Sequence, residues 1–295
     1  MTLKLNLRHI LSLVLAVLLW LPVSATRYQH GDFVYDCNWS WGQLTATLLR
    51  YTGSQADVTV PETVDFDGNT YPVIYIGDEF SCPFADNDII EVVRLPKTAL
   101  SIGVEAFNHC TRLHTVDLGK NLQRIGAYAF SECPKLQQVI VHDMLTDIDD
   151  YAFAQCTAML HLTLGRRVQN LGEGMLDKCG LQSLTLLNPI PATCHGRLSS
   201  NNLLYQRCEL VVRIGTASTY QGAGGEWTRF LTMVERAETG DINADGTIDI
   251  SDINILVNMM LSRQEADIDI ADIDLNGTID IADVNALINI MLGNN

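Results

Sequence analysis

The chain has 295 residues, 47% apolar and 18% charged, with 35 Asp plus Glu against 19 Lys plus Arg and a formal net charge of −16. That length suits about two domains, and the apolar fraction excludes wholesale disorder. The acidic balance argues against sequence-independent nucleic-acid binding, which needs basic patches, and against an anionic membrane surface as partner.

At the N-terminus, Lys4 and Arg8 precede an apolar run from Ile10 to Leu21, and Val23-Ser24-Ala25 follows. A basic start, a short apolar stretch and small residues at −3 and −1 describe a secretory signal peptide cleaved after Ala25. The run is shorter than the roughly 20 residues of a bilayer-spanning helix. Removing the two bases leaves a mature chain of net charge −18, expected to be secreted and not membrane-integral. Further on, Trp39 and Trp41 alternate along one segment. They are expected in the core of a cap rather than on a sugar-stacking platform.

The middle of the chain repeats. IGVEAFNHCTRLHTVDL, IGAYAFSECPKLQQVIV, IDDYAFAQCTAMLHLTL and LGEGMLDKCGLQSLTL start at Ile102, Ile125, Ile148 and Leu171, each 23 residues after the last. Phe107, Phe130, Phe153 and Leu176 fall in one column, Cys110, Cys133, Cys156 and Cys179 in another. A degenerate earlier copy supplies Phe84, Asn87, Ile90, Val93 and Leu95 in the same frame. Such a period belongs to leucine-rich repeats. Leu113-x-x-Val116-x-Leu118 and its equivalents read as short strands with apolar residues inward, so the units must stack into a solenoid.

The four column cysteines read as a ladder of buried thiols, which behave as small apolar groups. Their 23-residue intervals, with no partnering His, lack the close spacing of a metal site. Cys37, Cys82, Cys194 and Cys208 lie outside that column, and in an exported protein some of them could pair. The unit at Leu171 is one residue short between Cys179 and Leu181. Outward strand positions are Thr115, Asp117, Gln138, Ile140, His161, Thr163, Ser183 and Thr185. They form either a partner-binding concave face or a plainly solvated one.

This motif form resembles the BspA-like leucine-rich repeat family of bacterial surface proteins. The resemblance extends to GDFVYDC…TLLRYTGSQADVTVPETVDFDGNTYPVIYIG before the repeats and CELVVRIGTASTYQGAGGEWTRFLTMVE after them, about residues 31–235. It implies adhesion or partner binding at a cell surface.

The tail is different in character. Residues 241–295 hold eleven acidic residues against one base, Arg263, a net of −10. Two segments match the calcium-loop pattern D-x-[DN]-x-[DN]-G, 31 residues apart. The first offers Asp241, Asn243, Asp245, Thr247 through its carbonyl, Asp249 and Asp252; the second offers Asp272, Asp274, Asn276, Thr278, Asp280 and Asp283. Oxygens at positions 1, 3, 5, 7, 9 and 12 suit a hard cation, and Gly246 and Gly277 permit the turn. Position 12 is Asp where the helix–loop–helix standard has Glu. A helix pattern follows each loop, with one buried stripe through Ile253, Leu256, Val257, Met260 and Leu261, repeated as Val284, Leu287, Ile288, Met291 and Leu292.

Two near-identical loop–helix units with no helix before the first resemble a type I dockerin. The resemblance implies two Ca2+ ions and docking onto a cohesin module of a scaffold protein. Ile250, Ser251, Ile281 and Ala282, at loop positions 10 and 11, would then touch the partner, although helix-start packing would also suit their apolar character. The resulting division is a signal peptide (1–25), N-terminal cap (26–75), repeats (76–188), C-terminal cap (189–236), linker (237–240) and dockerin (241–295). The expected fold class is mixed β/α, a repeat solenoid followed by a small all-α module with two EF-hand-like loops.

No nucleophile elbow, P-loop or H-E-x-x-H motif occurs, and the solenoid with its caps leaves no room for a catalytic domain. The expected function is therefore that of a secreted, non-catalytic interaction protein with no catalytic residues, as in polysaccharide-degrading assemblies. A free-standing adhesin with a structural calcium module is the alternative, and a hydrolytic accessory of such assemblies a further one.

Overall fold

The structure, a computed structural model, describes residues 26–40, 42–141, 144–236, 240, 242, 248–262, 271, 273 and 278–292. The expected signal peptide and linker residues 237–239 lie outside these, as does Trp41. Among the described residues no helix is long and apolar enough to cross a membrane.

The 23-residue period becomes one coil of a solenoid. Ser101–Ile102, Arg124–Ile125, Asp147–Ile148, Asn170–Leu171 and Thr193–Cys194 pair in parallel, stacking Ile102, Ile125, Ile148, Leu171 and Cys194 in one row. On another side of the coil, Asp57–Thr59, Val92–Arg94, Thr115–Asp117 and Gln138–Ile140 form a parallel sheet. His161–Leu164, Ser183–Leu186, Glu209–Arg213 and Thr232–Arg236 form the next. Val93, Leu113, Val116, Leu136, Leu162 and Leu184 are buried behind these strands, as the inward reading of the repeat requires.

Between the ladders run two side-chain columns. The rings of Phe84, Phe107, Phe130 and Phe153 stack nearly parallel, with centroids 4.7, 5.0 and 5.4 Å apart. Beside them each column thiol donates to the phenylalanine carbonyl of the preceding coil. Cys110 Sγ lies 3.1 Å from Phe84 O, Cys133 Sγ 3.1 Å from Phe107 O, Cys156 Sγ 3.1 Å from Phe130 O, and Cys179 Sγ 2.9 Å from Phe153 O. Three of these carbonyls, those of Phe84, Phe107 and Phe153, also accept a backbone N–H at 3.2–3.3 Å, so the thiol adds a second, weak bond while filling the column as a small apolar group.

The backbone carries its own column. Glu105, Tyr128 and Tyr151 have φ of 55°, and Asp86, His109, Glu132, Gln155 and Lys178 have φ between 57° and 63°. These left-handed residues are uncommon outside glycine, yet here they recur once per coil at two places. The short unit after Cys179 needs a real glycine. A Cβ at Gly180 would meet Thr157 O at 2.2 Å.

At the N-terminal end, Thr26–His30, Phe33–Ser40 and Gln43–Tyr51 form an antiparallel sheet. Asn69–Ile76 pairs in parallel with Gln43–Tyr51 and then with Ser101–Ile102, so the cap sheet runs into the repeat ladder. Tyr35, Ala46, Leu48, Val73 and Ile76 are fully buried there. Trp39 corrects the sequence reading, because its side chain is 60% exposed. It shares the strand face of buried Tyr35 and Cys37, which are covered where it is not.

At the other end, helices Leu203–Arg207 and Ala217–Ala223 and a 3-10 turn Gly225–Arg229 close the stack. Trp227 Nε1 donates to Ala192 O at 3.2 Å, and Tyr220 OH donates to Asn188 O at 2.7 Å. Helices Ile250–Ser262 and Ile281–Met291 follow with a separate small core.

Candidate functional site

Each tail helix begins at the tenth residue of its acidic loop, directly after the ninth. Asp280 caps the helix Ile281–Met291, its Oδ1 accepting from Ala282 N at 2.7 Å, and forms a capping box with Asp283. Asp249 Oδ1 likewise accepts from Ser251 N and Ser251 Oγ, both at 2.7 Å. Carboxylates are favoured at such a start, where unpaired N–H groups and the helix dipole concentrate positive potential.

The twelfth residues are fully buried. Asp252 Oδ1 accepts from Ile242 N at 2.7 Å and its Oδ2 from Asp249 N at 2.9 Å. Asp283 repeats both bonds, from Ile273 N and Asp280 N, each at 2.7 Å. Around them Leu256, Ala271, Val284 and Leu287 form a core to which Ile242, Ile248, Ile273 and Ile279 contribute. These loop isoleucines, at positions 2 and 8, were passed over in the sequence, although both loops place Ile at the same two positions. Oxygen donors of this kind suit a hard cation; the described members of the expected sets are Asp249, Asp252, Thr278, Asp280 and Asp283, and among the described residues alone no three His, Cys, Asp or Glu come together as a metal site. Asp241, Asn243, Asp245, Thr247, Asp272, Asp274 and Asn276 lie outside the described residues.

The tenth positions face solvent. Ile250 is 61% and Ile281 63% exposed, so they do not serve helix-start packing; Ser251 and Ala282 are half-buried. The single buried stripe expected on each helix needs correction at its far end, where Leu261, Met291 and Leu292 are exposed. Eight residues beyond Ile253, Leu261 has turned about 80° around the axis. Eleven beyond Ile250 it is back within about 20° of that residue. With exposed Asn254 and Asn258 the outer face reads Ile250, Asn254, Asn258, Leu261, and the second helix repeats it as Ile281, Asn285, Asn289, Leu292.

On the solenoid, the outward positions align coil upon coil: Thr115 opposite Gln138, Asp117 opposite Ile140, His161 opposite Ser183, Thr163 opposite Thr185. His161 and Thr163 are exposed, while Thr115, Asp117, Ser183 and Thr185 are half-buried. The side chains of Gln138 and Ile140 lie outside the description.

Residues 81–195 match the BspA type leucine rich repeat region, in six copies, and residues 239–292 match the dockerin type I domain. The chain carries both modules. The six copies end at the Thr193–Cys194 strand, where Cys194 takes the place held by isoleucine or leucine in earlier coils. No curated protein matches the chain. Among solved structures, a leucine rich cell surface protein from Faecalibacterium prausnitzii A2-165 is 23% identical, with a TM-score of 0.49, over 73% of this chain and 56% of that one. A leucine-rich repeat protein from Bacteroides ovatus ATCC 8483 is 20% identical, with a TM-score of 0.44, over 62% and 55%. The T. pallidum leucine rich repeat protein is 20% identical, with a TM-score of 0.49, over 72% of this chain and all of that one. The chain thus spans little more than half the length of the first two. Type I dockerin domains bind calcium, and BspA-type repeats and dockerins are non-catalytic modules.

Proposed function

We propose that this is an exported, non-catalytic interaction protein whose repeats recognise a surface or partner and whose dockerin fastens it to a cohesin-bearing scaffold. The observation that carries the docking half is the dockerin match together with the exposed faces through Ile250 and Ile281 at the helix starts. Ser251 and Ala282 stand beside them as further contact residues. Two calcium ions would be held by Asp241, Asn243, Asp245, Thr247, Asp249 and Asp252, and by Asp272, Asp274, Asn276, Thr278, Asp280 and Asp283. A bound ion neutralises carboxylates that otherwise repel one another, and so lets the loops close. The motif around Lys4, Arg8 and Ala25 supports export, and the aligned outward positions around His161 and Thr163 support recognition by the repeats.

The test is capture of the full chain on immobilised cohesin modules, with calcium and with chelator. Capture that requires calcium and disappears in Ile250→Asp with Ile281→Asp supports docking. Failure on every cohesin tried, with the tail folded, refutes it. The face is uncharged at Ile, Asn, Asn and Leu, so capture should change little between low and high salt.

A further inference from the structure

We infer that Asp252 and Asp283 have a second task besides ligating calcium: each holds its loop closed by accepting two backbone N–H groups, so position 12 requires aspartate and not the longer glutamate. This rests on the reading of the two loops as calcium sites. Asp252 ties Ile242 N to Asp249 N, and Asp283 ties Ile273 N to Asp280 N, all within 2.7–2.9 Å. One carboxylate thereby joins the second and ninth residues of the loop to the first turn of the helix that follows.

Both carboxylates are fully buried, and the arrangement recurs although the loops differ at positions 3, 4, 5 and 11. The recurrence attaches it to position 12 rather than to local sequence. Each carboxylate oxygen has two lone pairs, so it can accept an N–H and still face a cation. An added methylene displaces the carboxylate by roughly 1.5 Å, one carbon–carbon bond. Glutamate at this helix position still reaches the cap N–H, but it overshoots one of the two donors. That donor is then buried without an acceptor. Hydrogen bonds that orient metal ligands are worth about 10–100-fold in affinity.

Asp252→Glu and Asp283→Glu, separately and together in the full chain, test this by calcium calorimetry and amide exchange at Ile242 and Ile273. Each glutamate variant should weaken calcium at its own loop about tenfold or more and expose its own isoleucine amide in the calcium-saturated protein. A glutamate variant that binds as tightly as the parent, with both amides protected, overturns the inference. Asp252→Asn keeps the length but loses the charge and one of the two acceptors, because its amide nitrogen only donates. It should bind calcium more weakly and expose one of the two braced amides, Ile242 or Asp249, and an asparagine variant with both amides still protected would also count against the brace. A parent chain that takes up no calcium refutes the calcium reading itself, which is a different result. If a glutamate tail stays unfolded in saturating calcium while the asparagine tail folds, length is the cause and the brace is supported.

Discussion

At the scale of single residues, the thiols separate by surroundings. Cys110, Cys133 and Cys156 are fully buried and each donates to a carbonyl. Burial pushes the Cys179 thiol up to about 12. Cys82 is the exposed one. Its pKa is raised as well, first by partial desolvation and then by Glu105, Asp78 and Asp86. Alkylation needs the thiolate, and a raised pKa means the fold disfavours that charged form. Native protein should therefore label first at Cys82, with the rate starting to climb at a higher pH than for the same cysteine in the unfolded chain. Denaturant should open all eight cysteines. Mass spectrometry of alkylated peptides across a pH series decides it. Column thiols that label natively as fast as Cys82, or disulfide-linked peptides among them, would overturn the ladder.

At the scale of the repeat element, Phe130 sits between Phe107 and Phe153 at 5.0 and 5.4 Å and is fully buried. Phe130→Ala should cost about 3–5 kcal/mol, the range for deleting a packed core aromatic. Thr163→Ala, on the exposed side of its strand, should stay within about 0.5 kcal/mol. Thermal or denaturant melts of the two variants check this, and a Phe130 loss below about 1 kcal/mol would refute the register. That register was legible because Phe, Cys and Leu repeat by chemistry at a fixed period. The left-handed columns were not legible. Glu105, Tyr128 and Tyr151, or Asp86, His109, Glu132, Gln155 and Lys178, share a backbone angle and no side-chain property. Cys194 was legible in principle, since counting 23 residues past Leu171 reaches it. Trp39 escaped because alternation places it on the face of buried Tyr35 and Cys37, and pattern along one strand does not record how far the cover over that face extends. In the tail, the ligand pattern stood out by spacing, whereas the burial of Asp252 and Asp283 is a matter of packing that spacing along the chain does not record.

At the scale of the whole molecule, the described residues hold two hydrophobic cores with no member in common, one through the cap and repeats and one around Leu256, Val284 and Leu287. The large core is built from stacked coils whose hydrogen bonds run from unit to unit, so its stability depends on neighbours along the solenoid. Among the described residues the small one has four buried hydrophobic members, in a tail of net charge −10. A segment of this size buries little apolar area, and on the proposed calcium reading the four carboxylates that the sequence places in each loop would repel one another without an ion. Calcium binding free energy then becomes folding free energy for the tail alone. The chain should therefore melt in two parts, one that moves with calcium concentration and one that does not. In chelator the tail helices should be largely lost while the sheet signal of the repeats persists. Asp241→Ala combined with Asp272→Ala should abolish the calcium-dependent transition and cohesin capture together, leaving the other transition where it was. Circular dichroism and amide exchange in chelator and in millimolar calcium make the measurement. Equal tail protection under both conditions would refute the calcium-dependent fold, and a repeat transition that shifts with calcium would refute the independence of the two parts.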